Sequence, residues 1–84
     1  MIVQFFGSVQ SYSGYKSLEI ENVDSVHALI DELAIKVNKD FKEYLMGENC
    51  FILVNGKALL GIGGLKTKLK PTDKIDILPV VEAG

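Results

Sequence analysis

The sequence contains no arginine, and all nine of its basic residues are lysines. A guanidinium is the group that forks onto guanine edges and phosphates, so bidentate reading of nucleic acid has no donor here. A formal net charge of −2 at pH 7 also argues against a nucleic-acid or anionic-membrane partner. Cysteine occurs once, as Cys50, which excludes an intrachain disulfide framework, a four-cysteine zinc site and a four-cysteine iron–sulfur cluster. That usage fits a reducing compartment. No run approaches 18 apolar residues, and the N-terminus has no basic segment, long apolar run and small-residue cleavage site in succession. A cytoplasmic location is therefore expected, and no constellation implies a metal or a bound organic cofactor.

What is present is the composition of a folded protein: 84 residues, 48% hydrophobic and 24% charged, with eight glycines and two prolines. A chain of this length buries roughly 60 to 65% of its unfolded surface in a single core. It is too short for a two-domain enzyme with an interdomain cleft.

Residues 2 to 6 read as a strand with Val3 and Phe5 on one face. The small polar stretch from Ser8 to Gly14 reads as a turn or loop, and Tyr15 to Ile20 as a second strand with Leu18 and Ile20 inward, pairing with the first. Asp24 and Ser25 are N-cap residues before an apolar stripe at Val26, Leu29, Ile30, Leu33 and Val37, which predicts a helix over roughly residues 25 to 38. Asp40 to Asn49 reads as a connection in which Phe41, Tyr44 and Leu45 form one short turn. Cys50 to Val54 is a strand, and Asn55-Gly56 after it predicts a type I′ hairpin turn, because both central positions need positive φ. Gly61, Gly63 and Gly64 mark an irregular passage, Leu65 and Leu69 dip into the core, and Pro71-Thr72-Asp73 turns into a last strand, Lys74 to Leu78, with Ile75 and Ile77 inward. The order β-β-α-β-β-β is α+β, with one main helix packed on a mixed four- to five-stranded sheet whose first and last strands are neighbours. A helix crossing such a sheet is the β-grasp.

Catalytic sets are missing. The single histidine, His27, falls in the first helical turn and reads as a solvent-facing residue without an orienting partner. Cys50 opens a strand, where a free cysteine behaves as a small buried hydrophobe. The cluster Gly61-Ile62-Gly63-Gly64 invites a phosphate-loop reading that fails. The dinucleotide fingerprint needs glycine where Lys66 stands, and the Walker motif needs an adjacent Gly-Lys that Leu65 interrupts. Residues 51 to 84 hold five lysines against three acids, which solvated strand and loop faces explain, a docking surface for an acidic partner being the minority reading. Beyond Pro79 the chain continues through Val80, Val81, Glu82, Ala83 and Gly84. Fraying is the ordinary fate of such an end. Five extended residues also span about 17 Å, enough to carry a carboxylate into a partner's pocket.

Taken in order, several segments resemble the sulfur-carrier family of ubiquitin-like proteins that includes the small subunit of molybdopterin synthase and the thiamine sulfur carrier (MoaD/ThiS). They are the opening strand ending Phe5-Phe6-Gly7, the stripe Val26, Leu29, Leu33, the Val54-Asn55-Gly56 turn, Leu65 to Leu69 before Pro71-Thr72-Asp73-Lys74, and the ending Ile77-Leu78-Pro79-Val80-Val81-Glu82-Ala83-Gly84. The resemblance implies a single ubiquitin-like β-grasp domain over residues 1–84 with an extended tail at 79–84. It further implies that Gly84 is the sulfur acceptor. Its carboxylate would be adenylated by a ubiquitin-activating-type adenylyltransferase using ATP and converted by a sulfur donor to a thiocarboxylate. The acceptor enzyme would be the molybdopterin synthase large subunit or another, with all catalysis in the partners. Leu78, Pro79, Val80, Val81, Glu82 and Ala83 would form the docking tail. Leu59, Leu60, Val80 and Val81 are candidates for an apolar docking patch. The family ends in Gly-Gly, and Ala83 stands here where its penultimate glycine belongs. Two other readings share the fold: a ubiquitin-like modifier conjugated through the same carboxylate, and a non-reactive β-grasp interaction domain.

Overall fold

Alternation along the first and last strands builds the centre of the sheet. In the computed structural model, which describes residues 1–59 and 63–80, β1 (Ile2–Phe5) buries Val3 and Phe5, and β5 (Lys74–Pro79) buries Ile75 and Ile77. The two strands run parallel with Val3 opposite Ile75 and Phe5 opposite Ile77, so four large side chains leave the sheet on one side. The first and last strands are thus neighbours, as expected for this arrangement, a pairing that periodicity alone does not establish. β2 (Ser17–Glu19) pairs antiparallel with β1, and β3 (Cys50–Val54) antiparallel with β5. The two-residue β4 (Lys57–Ala58) closes a mixed sheet of order β2-β1-β5-β3-β4. At the β3–β4 turn Asn55 and Gly56 have φ of 52° and 84°, the conformation that the Asn-Gly pair predicts.

One face of this sheet is covered by helices. α2 (Val26–Lys36) buries Val26, Leu29, Ile30 and Leu33, and Val37, at its C-cap, packs against the core from the edge. Ser25 caps it, its Oγ accepting from the Ala28 amide at 3.1 Å. The Val26 amide, another orphan donor of the first turn, reaches the Thr67 carbonyl at 3.0 Å. The Leu69 amide returns a bond to the Asp24 carbonyl at 2.9 Å, which holds Leu69 in the core. The helix ends at Lys36, two residues short of the expected boundary.

Two further helices replace segments that the sequence presents as loop. The stretch from Ser8 to Gly14, read as a turn or loop, lies in α1 (Gly7–Ser13) and its cap. Its composition is poor in strong helix formers, so its stability comes from packing. Val9 is fully buried, and Tyr12 stacks on Tyr44 with ring centroids 4.2 Å apart. Gly14, at φ 81°, ends the helix by returning its amide to the Gln10 carbonyl. The connecting segment contains α3 (Phe41–Met46), a six-residue helix rather than one loose turn, pinned by buried Phe41 and Leu45. Phe41 lies edge-on to Phe5 at 6.0 Å and stacks with Tyr12 and Tyr44. These contacts tie α1 and α3 together over one end of the sheet.

Candidate functional site

The C-terminal end of β5 is held in place by local contacts on both sides. Pro79 is the last paired residue, opposite Cys50, so strand pairing runs one position past the range that alternation suggests. The Val80 amide then donates to the Asn49 carbonyl at 3.1 Å. On the other side, the Phe6 amide donates to the Ile77 carbonyl at 3.0 Å, and Gly7 follows at φ +55°. A Cβ on Gly7 would lie 2.9 Å from Cγ of Pro79, so the absence of a side chain there lets the proline ring close against the start of α1.

The second component is the sheet face that no described helix covers. Register places Phe51 opposite Leu78, and Leu53 opposite Asp76, on this face. Phe6, one residue past β1, stands at the level of Leu78 because Phe5 pairs with Ile77. Phe51 is 54% exposed and Phe6 39%, while Leu78 and Leu53 are half-buried between neighbours. Phe6, Phe51, Leu53 and Leu78 therefore make an apolar patch that leads to Val80, itself 37% exposed, at the root of the tail. Asp76 borders the patch. Its Oδ1 is shielded from solvent and accepts no hydrogen bond among the described residues.

Of the residues that the sequence singles out, Leu78 lies on this face, Pro79 closes the strand and Val80 begins the tail. Leu59 is elsewhere. It packs against the core on the helix side, lining a cleft with Ile30, Leu45, Ile52 and Leu65. It thus shares no surface with the open face. Leu60, Val81, Glu82, Ala83 and Gly84 lie outside the described residues. Phe6 and Phe51 are not recognised from sequence. In the uninterrupted apolar run Cys50 to Val54, period two cannot tell inward from outward residues. The Asn-Gly turn fixes the register of β3 against β4, not which face of β3 meets the core.

The remaining candidates have structural surroundings. Burial pushes the Cys50 thiol up to about 11, so it is protonated at neutral pH and a poor nucleophile. His27 is exposed, with Nδ1 3.5 Å from Oδ2 of Asp31, whose Oδ1 holds Lys42 Nζ at 2.8 Å. The hydrogen bond from Lys42 is the main cause that lowers the Asp31 carboxyl. Gly63 and Gly64 have φ of 121° and 64° and lead into a short 3-10 turn, Gly64–Lys66, closed by the Thr67 amide on the Gly64 carbonyl. Gly61 and Ile62 lie outside the described residues. Among the described residues no group of three or more His, Cys, Asp or Glu could hold a metal ion, and no helix is long and apolar enough to cross a membrane.

The ThiS family matches residues 3–84. No curated protein matches the chain by sequence. Among solved structures, a chain of the BexX/CysO complex from Amycolatopsis orientalis superimposes with a TM-score of 0.82 at 26% identity, covering 99% of this chain and 98% of that one. Small archaeal modifier protein 1 from Methanosarcina acetivorans gives 0.80 at 25% identity, covering 99% and 94%. A Pyrococcus furiosus protein described as a molybdopterin converting factor subunit 1 gives 0.77 at 27% identity, covering 95% of each chain. These likenesses establish the ubiquitin-like β-grasp.

Proposed function

Since the chain belongs to the ThiS family, we propose that it is a sulfur carrier in the cytoplasm whose working group is the carboxylate of Gly84. A partner adenylyltransferase brings this carboxylate to ATP. A carboxylate oxygen attacks the α-phosphorus, pyrophosphate leaves, and hydrosulfide released by a sulfur donor then displaces AMP from the acyl carbon to leave a thiocarboxylate. This chain supplies no catalytic group to either step. Its parts are a docking face, Phe6, Phe51 and Leu78, and a slim tail, Val80 to Gly84, that enters the partner's active site. Glycine at the end and alanine before it keep that tail narrow, and holding its acyl carbon beside the reacting atoms is the gain that docking provides.

The observation that carries this reading is the continuity of the apolar face with the root of the tail: Leu78 is in the patch, Pro79 is packed against Gly7, and Val80, exposed and held by its amide to the Asn49 carbonyl, follows directly. Molybdopterin synthesis is the pathway we favour, because the Pyrococcus furiosus protein is described by that role. The acceptor is then the molybdopterin synthase large subunit. The test is ATP–pyrophosphate exchange by the host's adenylyltransferase. The intact chain should support it, deletion of Gly84 should abolish it, and Phe51→Ala should raise the chain concentration needed for half-maximal rate. Equal exchange with and without Gly84 would contradict the proposal.

Likeness to small archaeal modifier protein 1 favours a second reading, in which the same activated carboxylate forms isopeptide bonds to lysines of target proteins. Higher-mass conjugates in host extract that vanish with Gly84 would support it. The departure at Ala83 favours a third, a non-reactive interaction domain, for which binding to the partner without exchange is the signature.

A further inference from the structure

The open sheet face carries one residue that folding does not account for. Asp76 occupies the centre of β5, the middle strand of five, where β-branched and aromatic residues are preferred and aspartate is depleted. Its cross-strand neighbours on this face are Gln4 on β1 and Leu53 on β3, with Leu78 and Lys74 two positions away along β5. Lys74 forms no ion pair with it, and Gln4 gives it no hydrogen bond. Oδ1 is shielded from water and unpartnered among the described residues. An acceptor stripped of water without a donor is a cost to the folded state. A threonine here would pack on the same face without that cost. Where a position breaks the local rule with no compensation inside the fold, the compensation is to be sought in function.

We propose that Asp76 is a specificity residue of the docking face, paired in the complex by a lysine or arginine of the adenylating partner that sits at the border of the patch formed by Phe51, Leu53 and Leu78. The inference rests on the docking role proposed above for this face. An apolar surface alone selects partners weakly, whereas a carboxylate at its margin excludes any partner that presents an apolar or acidic group there. The side chain as a whole is half-buried rather than enclosed, so a turn of the carboxylate in the complex would bring to Oδ1 the donor it lacks in the free chain, in surroundings from which Leu53 and Leu78 help to exclude water.

The test is calorimetric titration of the host's purified adenylyltransferase with the full chain and its Asp76→Asn, Asp76→Thr and Phe51→Ala variants, at low and high sodium chloride. Both Asp76 variants should bind about tenfold more weakly or worse. Their affinity should also depend less on salt than that of the unsubstituted chain, and Asp76→Thr should melt no lower than it. Undiminished affinity and salt dependence in both Asp76 variants, while Phe51→Ala binds more weakly, would overturn this inference and leave the docking face standing. Equal binding by Phe51→Ala and the unsubstituted chain would overturn the docking face and this inference with it. A lower melting temperature in both Asp76 variants would assign the carboxylate to the fold and likewise overturn it.

Discussion

Two residues outside the tail, Gly7 and Asp73, set conditions that neighbouring segments obey. Gly7 combines a left-handed φ of +55° with a missing Cβ that would otherwise approach Pro79 Cγ to 2.9 Å. Gly7→Ala meets both obstacles at once, so it should lower the melting temperature and, by displacing Pro79, slow adenylation of Gly84 more than its stability loss explains. Circular dichroism and pyrophosphate exchange on the same preparation separate the two effects. Asp73 is the other. Its carboxylate accepts from the Lys70 amide at 2.8 Å and from Asn55 Nδ2 at 2.9 Å, while Asn55 Oδ1 accepts from the Lys74 amide. The bond from Lys70, and then that from Asn55, holds the Asp73 carboxyl below its ordinary value. The ionised form is therefore the one the fold favours. The stabilisation is complete above the unfolded value of about 3.9 and is lost as pH falls through the lowered folded value. Asp73→Asn should flatten the acid limb of a melting-temperature-against-pH curve and leave the neutral region less stable. An unchanged acid limb would remove Asp73 from the account.

Among the elements, α2 is the one in which sequence and structure agree most closely. Its stripe at Val26, Leu29, Ile30 and Leu33 is the buried stripe, and Ser25 is its cap. Leu33→Ala leaves a cavity at a fully buried site and should cost about 2 to 5 kcal/mol, whereas Ser25→Ala should cost about 1 kcal/mol. Urea titrations that gave the two changes equal weight would mean the core is not centred on this helix. The hairpin turn was equally legible, because Asn55-Gly56 is a local signal with a local cause. By contrast α1 was hidden. Its helix depends on Val9 entering the core and on Tyr12 stacking on Phe41 and Tyr44, the latter across about thirty residues that no window along the chain contains. The same reason hid the length of α3.

At the scale of the molecule, the central strands divide their apolar residues between a helix-covered core and an exposed patch on the opposite sheet face, and that division is only partly readable in the sequence. The strand parity of Leu78 was visible, since Ile75 and Ile77 announce the inner face. Phe51 was not, because its run is apolar throughout and only pairing with β5 decides which way each residue turns. Leu59 lies apart from this patch, in a cleft with Ile30 and Leu65 on the helix side. The tail's chemistry, by comparison, was suggested by the order of the final residues and rests on family membership. The central claim is that Gly84 accepts sulfur, and the direct measurement is the intact mass of the full chain after incubation with the host's adenylyltransferase, ATP and a sulfur donor, followed by a thiol alkylating agent. Cys50, buried and protonated at neutral pH, should stay unmodified in the folded protein and react once it is unfolded. The account predicts a mass gain equal to one oxygen exchanged for sulfur, one added alkyl group, and fragments that place both on Gly84. An unmodified chain, with the same enzyme active on another carrier, would contradict it.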